Sequence, residues 1–267
     1  VALMSAPAAL DVRGDNPEPG AMERSRHELW ARTLQHRFGG YGALAGHPIG
    51  NLLLAGLSEV LGDPVAALDE LGRLFDVDGR VLPMSTGPLE IEADVSGLES
   101  DPRISRVIRG QVAVATTPGK VRRVRLLPPD PPACDDALDA IAAADLVVLG
   151  PGSWFTSVMP HLAVPDLREA LVQTRAKRLL TLNVVNSGET EGFTAADHLQ
   201  VMVEHAPELH FDTVLADASA VAGQEQQLRS AAESVGAELV LKTVANPQRP
   251  GTHDVLLLAA AYRDIVG

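Results

Sequence analysis

The sequence predicts an α/β protein, a mainly parallel sheet lying between helices with a strand-rich, antiparallel subregion appended to it. Two patterns carry this. From Asp135 onward, helical windows alternate with short apolar runs, and continuous apolar runs between helices mark parallel strands buried on both faces. Between Gly79 and Leu127 the pattern changes to period two, which marks half-buried strands in hairpins. At 267 residues and 46% apolar content the chain can bury the core such a fold needs. The whole of 1–267 is expected to form a single α/β domain, with the strand-rich subregion at 79–128 inside it.

In chain order, the opening forty residues hold Pro, Gly and scattered charge, and predict irregular structure followed by a helix near Ser25 to Phe38. In HPIGNLLLAGLSEVLG, residues Ile49, Leu52, Leu53, Leu57, Val60 and Leu61 fall on one helical face, with Pro48 suited to the first turn. Asp63 then reads as an N-cap, Pro64 as the first helical residue, and Leu68, Leu71, Leu74 and Phe75 as the buried stripe of a second helix. The period-two segments RVLPM, LEIEADV, QVAVATT and KVRRVRL are expected as strands, closed by the Pro-rich bridge Pro128 to Pro132. Asp135 to Ala144 is expected as a helix. Leu146 to Leu149, Leu179 to Val184, Val214 to Asp217 and Glu238 to Val244 are expected as the parallel strands. Right-handed crossovers place the C-terminal ends of such strands on one rim, where open sheets bind ligands.

Bulk properties exclude several functions. A net charge of -13 argues against a nucleic-acid surface, and the one basic run, KVRRVR, reads as the solvated face of a strand. Cys134 stands alone, which leaves no internal disulfide and no multi-cysteine metal site. The histidines show no HExxH or other ligand-pair spacing within a helix, so no metal site is expected. No run approaches a membrane span and the N-terminus lacks the pattern of a signal peptide, so a cytoplasmic protein is expected.

The loops after the strands carry the candidate chemistry. In LVVLGPGSWFTS an apolar run ends at Gly150, Pro151 and Gly152. Phe155 stands where a dinucleotide fingerprint needs its third glycine and where a nucleophile elbow needs its second, and no Gly-Lys-Ser/Thr follows for a P-loop. Two readings stay open: Ser153, Thr156, Ser157 and free N–H groups receive an anion at a helix start, or Ser153 or Thr156 simply caps that helix. The next loop holds Asn183, Asn186, Glu189 and Thr190 before a Thr194/Asp197 capping box. Asn side chains can read a ligand through both donor and acceptor. A third group, Gly46, His47 and Asn51, lies at a helix start; His47 and Asn51 are four apart and share a face, although a lone His is more often a cap or a packing residue.

Taken together, QHRFGG (35–40), GHPIGNLLLAGLSEV (46–60), GRVLPMS (79–85), ADLVVLGPGSWFTSVMPHLAVPDL (144–167), LNVVNSGETEGFTAADHL (182–199) and HD (253–254) resemble the YvcK/CofD-like family, the gluconeogenesis factors. The resemblance implies a Rossmann-like three-layer αβα fold that binds a nucleotide or nucleotide sugar at the strand C-terminal rim, with His253 among the ligand contacts. The family has two arms. One transfers phospholactate from a nucleotide-activated donor onto a deazaflavin precursor; the other binds UDP-sugars such as UDP-N-acetylglucosamine or UDP-glucose and influences cell shape, wall synthesis and growth on gluconeogenic carbon. Where the transferase arm has a Pro-Ser-Asn-Pro type turn, this chain has Pro151-Gly-Ser-Trp154, so it resembles the second arm.

This implies a regulatory protein without turnover of its own. A UDP-sugar is its expected ligand, and a divalent metal enters only under the transferase alternative. Expected partners are a nucleotide sugar, cell-envelope synthesis or signalling proteins, and further copies of the chain in a homo-oligomer. Two departures stand out. Residues 1–34 hold none of the Gly-Gly-Thr-Gly, Asp-Asp-Gly-Gly and Pro-Pro-Gly-Asp segments of the family's first βα unit, and Thr252 stands where many relatives carry Arg. Thr cannot grip a diphosphate in the planar, bidentate way that Arg does.

Overall fold

A computed structural model describes residues 28–267 apart from Pro102 and Ser187. The irregular start expected for the first residues, and Ser25 to His27 of the first expected helix, lie outside the described residues. The chain divides into two compact units, Val1–Pro83 and Met84–Gly267, taken here in turn.

The first unit is helical. A helix over 28–35 leads to short bridges that pair Arg37 with Pro48 and Phe38 with Ala45. Helix α1 (Ile49–Leu61) follows directly on Pro48 and ends at Gly62, whose positive φ of 69° lets its N–H reach the Ser58 carbonyl. Gly50 is buried because a Cβ there would stand 3.1 Å from the Leu34 carbonyl oxygen. Helix α2 (Pro64–Leu74) starts as its residues dictate: Asp63 accepts the Val65 N–H at 2.8 Å and Pro64 takes the first position. The expected stripes are only partly covered, since Leu52, Val60, Leu61 and Leu74 remain exposed.

The second unit begins with an antiparallel sheet of β1 (Glu90–Ser96), β2 (Ser105–Arg109) and, after helix α3 (Gln111–Ala115), β3 (Lys120–Leu127), in the order β2-β1-β3. Its inner face carries Ile91, Ala93, Val95, Val121, Val124 and Leu126. Val121 and Val124 are three apart, yet both face inward because the register shifts between Asp94 and Val95 and leaves Arg122 as the extra residue. The basic run is therefore the outer face of a strand, as its alternation implies. Within it Arg125 bonds both Glu92 and Asp94, Arg122 donates to the Ser96 hydroxyl, and Glu92 also accepts from Arg109 of β2.

Two expectations for this region are corrected. QVAVATT is helical over Gln111–Ala115, because only Val114 enters the core while Val112 stays 76% exposed, so one valine and not an alternating set has to be placed. RVLPM forms no strand; its Pro83 has no N–H to give a ladder. The strand Ser105–Arg109 was not expected, because four of its five residues are exposed and it shows little apolar pattern.

Beyond helix α4 (Asp135–Ala143) lies a four-stranded parallel sheet: β4 (Leu146–Leu149), β5 (Lys177–Thr181), β6 (Thr213–Asp217) and β7 (Glu238–Lys242), in sequential order. Helices α5 (Met159–Leu162), α6 (Pro165–Gln173), α7 (Ala195–His205) and α8 (Glu225–Ser234) form the crossovers, and α9 (Val255–Val266) follows β7. The strands alternate between two cores. Val147, Leu149, Leu180, Val214, Ala216, Leu239 and Leu241 join the core with the crossover helices, whereas Leu146, Val148, Leu179, Leu215 and Val240 join a smaller one with Ala261, Leu258, Tyr262 and Ile265 of α9. Successive right-handed crossovers in one direction put their helices on one face, and a helix after the last strand can return across the other. This gives the expected three layers, and it explains why the strands read as unbroken apolar runs. No helix among the described residues is long and apolar enough to cross a membrane.

Leu180 is fully buried on the larger core side and Val107 is 55% exposed on edge strand β2. Leu180→Ala is expected to cost about 2–5 kcal/mol in urea denaturation. Val107→Ala should stay within about 0.5 kcal/mol of the unaltered chain.

Candidate functional site

The C-terminal rim of the parallel sheet gathers most of the residues singled out in the sequence. After β4 the chain turns through Gly150, Pro151 and Gly152. Gly150 has φ 76°, and a Cβ there would lie 2.6 Å from the Thr181 carbonyl oxygen at the end of β5, so both conformation and space require glycine. Asn183, two residues beyond β5, grips the turn with both ends of its amide. It accepts the Gly152 N–H at 3.0 Å and donates to the Gly152 carbonyl at 2.8 Å.

The turn then enters a π-helical segment, Trp154–Val158, followed by α5. Trp154 and Phe155 point inward and are buried, with Phe155 edge-on to Phe193. Their burial pulls the start of this helix against the loop after β5, where Glu189 and Thr190 lie in a 3-10 turn. Glu189 is buried and accepts the Phe155 N–H at 2.7 Å. The anion at this helix N-terminus is therefore the protein's own carboxylate. Burial pushes the Glu189 carboxyl above its ordinary range, against the lowering effect of the Phe155 bond and of Thr156.

The two readings of the turn are thus both modified. Ser153 takes the N-cap position but makes no side-chain cap bond. Thr156 is buried beside Glu189, while Pro151, Ser153 and Ser157 are exposed. Among the described residues, the Ser153 and Trp154 N–H groups meet no protein acceptor. The Thr194/Asp197 capping box forms as its spacing predicts and starts α7.

His253 belongs to the same rim. Burial lowers its pKa, against the raising effects of a bond to the Leu182 carbonyl and of the nearby Asp217 charge. Gly46, His47 and Asn51 lie in the first unit. There the Gly46 carbonyl accepts from Arg37 Nη1 at 2.7 Å and the His47 carbonyl accepts the Phe38 N–H at 3.3 Å, while the His47 and Asn51 side chains are exposed.

Sequence reasoning missed Asp217, the last residue of β6. Burial opposes its ionisation, but hydrogen bonds from the Ser219 hydroxyl and from the N–H groups of Val244, Ala245 and Ser219 outweigh this and hold its pKa below the usual value. Asp217 thereby ties the loop after β7 to the end of β6. An acid closing an apolar run is its only signal in the sequence. Among the described residues no group of three or more His, Cys, Asp or Glu side chains is placed to hold a metal ion.

Fold and rim together define a Rossmann-like three-layer α/β protein whose parallel strands end in a buttressed Gly-Pro-Gly-Ser turn. Comparison with known proteins places it further. A family profile described as 2-phospho-L-lactate transferase CofD matches residues 13–249, and the chain belongs to this CofD family. It is 61% identical over 243 residues to a Mycobacterium tuberculosis protein named "Putative gluconeogenesis factor", an alignment spanning 90% of this chain and 71% of the relative. It is 36% identical over 178 residues to the gluconeogenesis factor of Halalkalibacterium halodurans, spanning 66% of this chain and 53% of that protein. A crystal structure of a Bacillus halodurans protein of the UPF0052 family superposes with a TM-score of 0.73 at 29% identity, covering 92% of this chain and 83% of the other.

Two outcomes test the buttress. Asn183→Ala, which leaves both backbone groups of Gly152 without their partner, is expected to lower stability by about 1–3 kcal/mol in urea denaturation. A carboxyl with a raised folded-state pKa binds protons more readily in the folded chain. Glu189 therefore withdraws stability as pH rises from the ordinary carboxylate range through its raised pKa. Glu189→Gln keeps an acceptor for Phe155 and removes the charge, so urea midpoints followed from that range to neutral pH should decline less in the variant.

Proposed function

We propose that the protein is a cytoplasmic nucleotide-sugar-binding regulator, taking UDP-N-acetylglucosamine or UDP-glucose at the rim and acting on cell shape, wall synthesis and growth on gluconeogenic carbon. One observation carries this reading. In the turn at Gly150–Ser157 the Gly152 peptide is held by Asn183 and the Phe155 N–H by Glu189, yet exposed Ser153 makes no side-chain cap bond and the N–H groups of Ser153 and Trp154 meet no acceptor among the described residues. A rigid turn with unspent donors suits a phosphate ester. Because Glu189 fills the helix-end position, the diphosphate lies against the Ser153 side of the turn and not on the helix axis.

The relatives named as gluconeogenesis factors support the part that concerns gluconeogenic carbon. On this reading the protein performs no turnover and acts through cell-envelope synthesis or signalling proteins, as a homo-oligomer. The family description favours one alternative, transfer of phospholactate onto a deazaflavin precursor. The described residues offer no cluster fitted to the divalent cation that such a reaction implies.

Thermal unfolding with a ligand panel tests the proposal. UDP-N-acetylglucosamine or UDP-glucose should stabilise the protein by about 2.7 kcal/mol at a hundredfold excess over Kd, well beyond GTP or NAD. Ser153→Ala should weaken that binding by roughly two- to tenfold, the worth of one neutral hydrogen bond. An equal response to every nucleotide, or product formed from a deazaflavin acceptor and a guanylylated donor, would decide against it.

A further inference from the structure

A recess with a free volume of about 20 Å³ opens between the loops after β5 and β6, lined by Leu182, Asn183, Val184, Asn186, His198 and Val221 among others. That is room for one water-sized group, so a single hydroxyl or N–H can enter but a whole ring cannot. His198 is 2% exposed, and its Nδ1 lies 2.9 Å from the Thr194 carbonyl. A carbonyl only accepts, so Nδ1 carries the proton and the neutral ring presents a bare lone pair at Nε2. Burial lowers the His198 pKa and keeps the ring neutral.

That Nε2 is buried and has no hydrogen-bond partner among the described residues, and the same holds for Trp154 Nε1. The His198 ring stands edge-on to Trp154 at 4.9 Å between centroids and to Phe193 at 5.4 Å, so its orientation is fixed. A buried polar atom left without a partner costs about 1–3 kcal/mol, which marks a place built for something the protein does not itself supply. Asn183 is committed to Gly152. Asn186 spends one N–H on the Phe193 carbonyl at 2.7 Å and keeps its amide oxygen unspent. The recess thus keeps two acceptors, His198 Nε2 and the Asn186 amide oxygen, beside the second Asn186 N–H.

We infer that this recess is a subsite in which His198 Nε2 accepts a hydrogen bond from a neutral N–H or O–H group of the bound ligand. This rests on reading the rim as a nucleotide-sugar site. A phosphate is excluded there, because an unprotonated nitrogen has no proton to offer an anion. The donor is either the imide N–H of the base or a hydroxyl of the sugar.

Calorimetric titration of the full chain and of His198→Phe, which keeps an aromatic ring against Trp154 and Phe193, tests the subsite. UDP-N-acetylglucosamine should bind the variant about tenfold more weakly. If its N3-methylated analogue shows the same loss with the unaltered chain and no further loss with the variant, the base is the donor. If methylation is harmless and the variant still loses affinity, the donor is a sugar hydroxyl. Equal binding by variant and unaltered chain overturns the inference. Because His198 is buried, nitrogen-15 NMR of the unaltered protein gives a second reading: the Nε2 resonance should move when ligand is added, and a resonance that stays put overturns the inference in favour of a trapped water. GDP serves as the control. Binding of GDP alone, lost in His198→Phe, supports the subsite and sinks the UDP-sugar reading; binding of neither nucleotide by the unaltered chain sinks both.

Discussion

The paired hydrogen bonds between the Asn183 amide and the Gly152 peptide hold the rim in place. Parallel strands bond to one another along their length, but the loops leaving them have no ladder, and here one side chain supplies a substitute. It joins the loop after β4 to the loop after β5 just where Gly150 brings the two backbones closest. With that tie made, Phe155 enters the core, its N–H meets Glu189, and the stretch from Gly150 to Val158 follows one path.

Asp217 does the equivalent on the other side of the sheet, taking N–H groups from Val244 and Ala245 at the end of β7. In both cases a polar side chain at or just past a strand end collects backbone donors from the neighbouring loop. Buried backbone groups outside regular structure must find partners, and at this rim side chains supply them. The two-faced packing of the strands leads to this arrangement. With α9 covering one face and the crossover helices the other, the C-terminal rim is where strand ends and loops meet without a covering helix.

The parallel sheet was legible because its strands are buried on both faces, which removes polar residues from them and leaves apolar runs that nothing else in the chain resembles. Strand ends were less legible. Leu182 to Val184 read as a continuation of β5 because Leu182 and Val184 are apolar, although the named strand stops at Thr181. The antiparallel subregion was read less well, since period two over five residues fits a short helix with one inward valine as readily as a strand. At the candidate site, glycines and capping residues were legible because their roles are local. The commitment of Asn183 to Gly152 and of Glu189 to Phe155 depends on partners 31 and 34 residues away, which no local pattern encodes.

Glu189 bears on what the rim can select. Many phosphate-binding turns leave the helix end open, so the anion itself completes the cap. Here a buried carboxyl already meets those N–H groups, and burial raises its pKa by opposing its charge. An anionic ligand lying over it would oppose that charge further, so on the proposed nucleotide-sugar reading the phosphate lies toward the outer, Ser153 edge. On that reading, discrimination falls to the neutral parts of the ligand. His198 Nε2 and the Asn186 amide oxygen line the neighbouring recess, so on the same reading a ligand that spans turn and recess would gain what inorganic phosphate cannot.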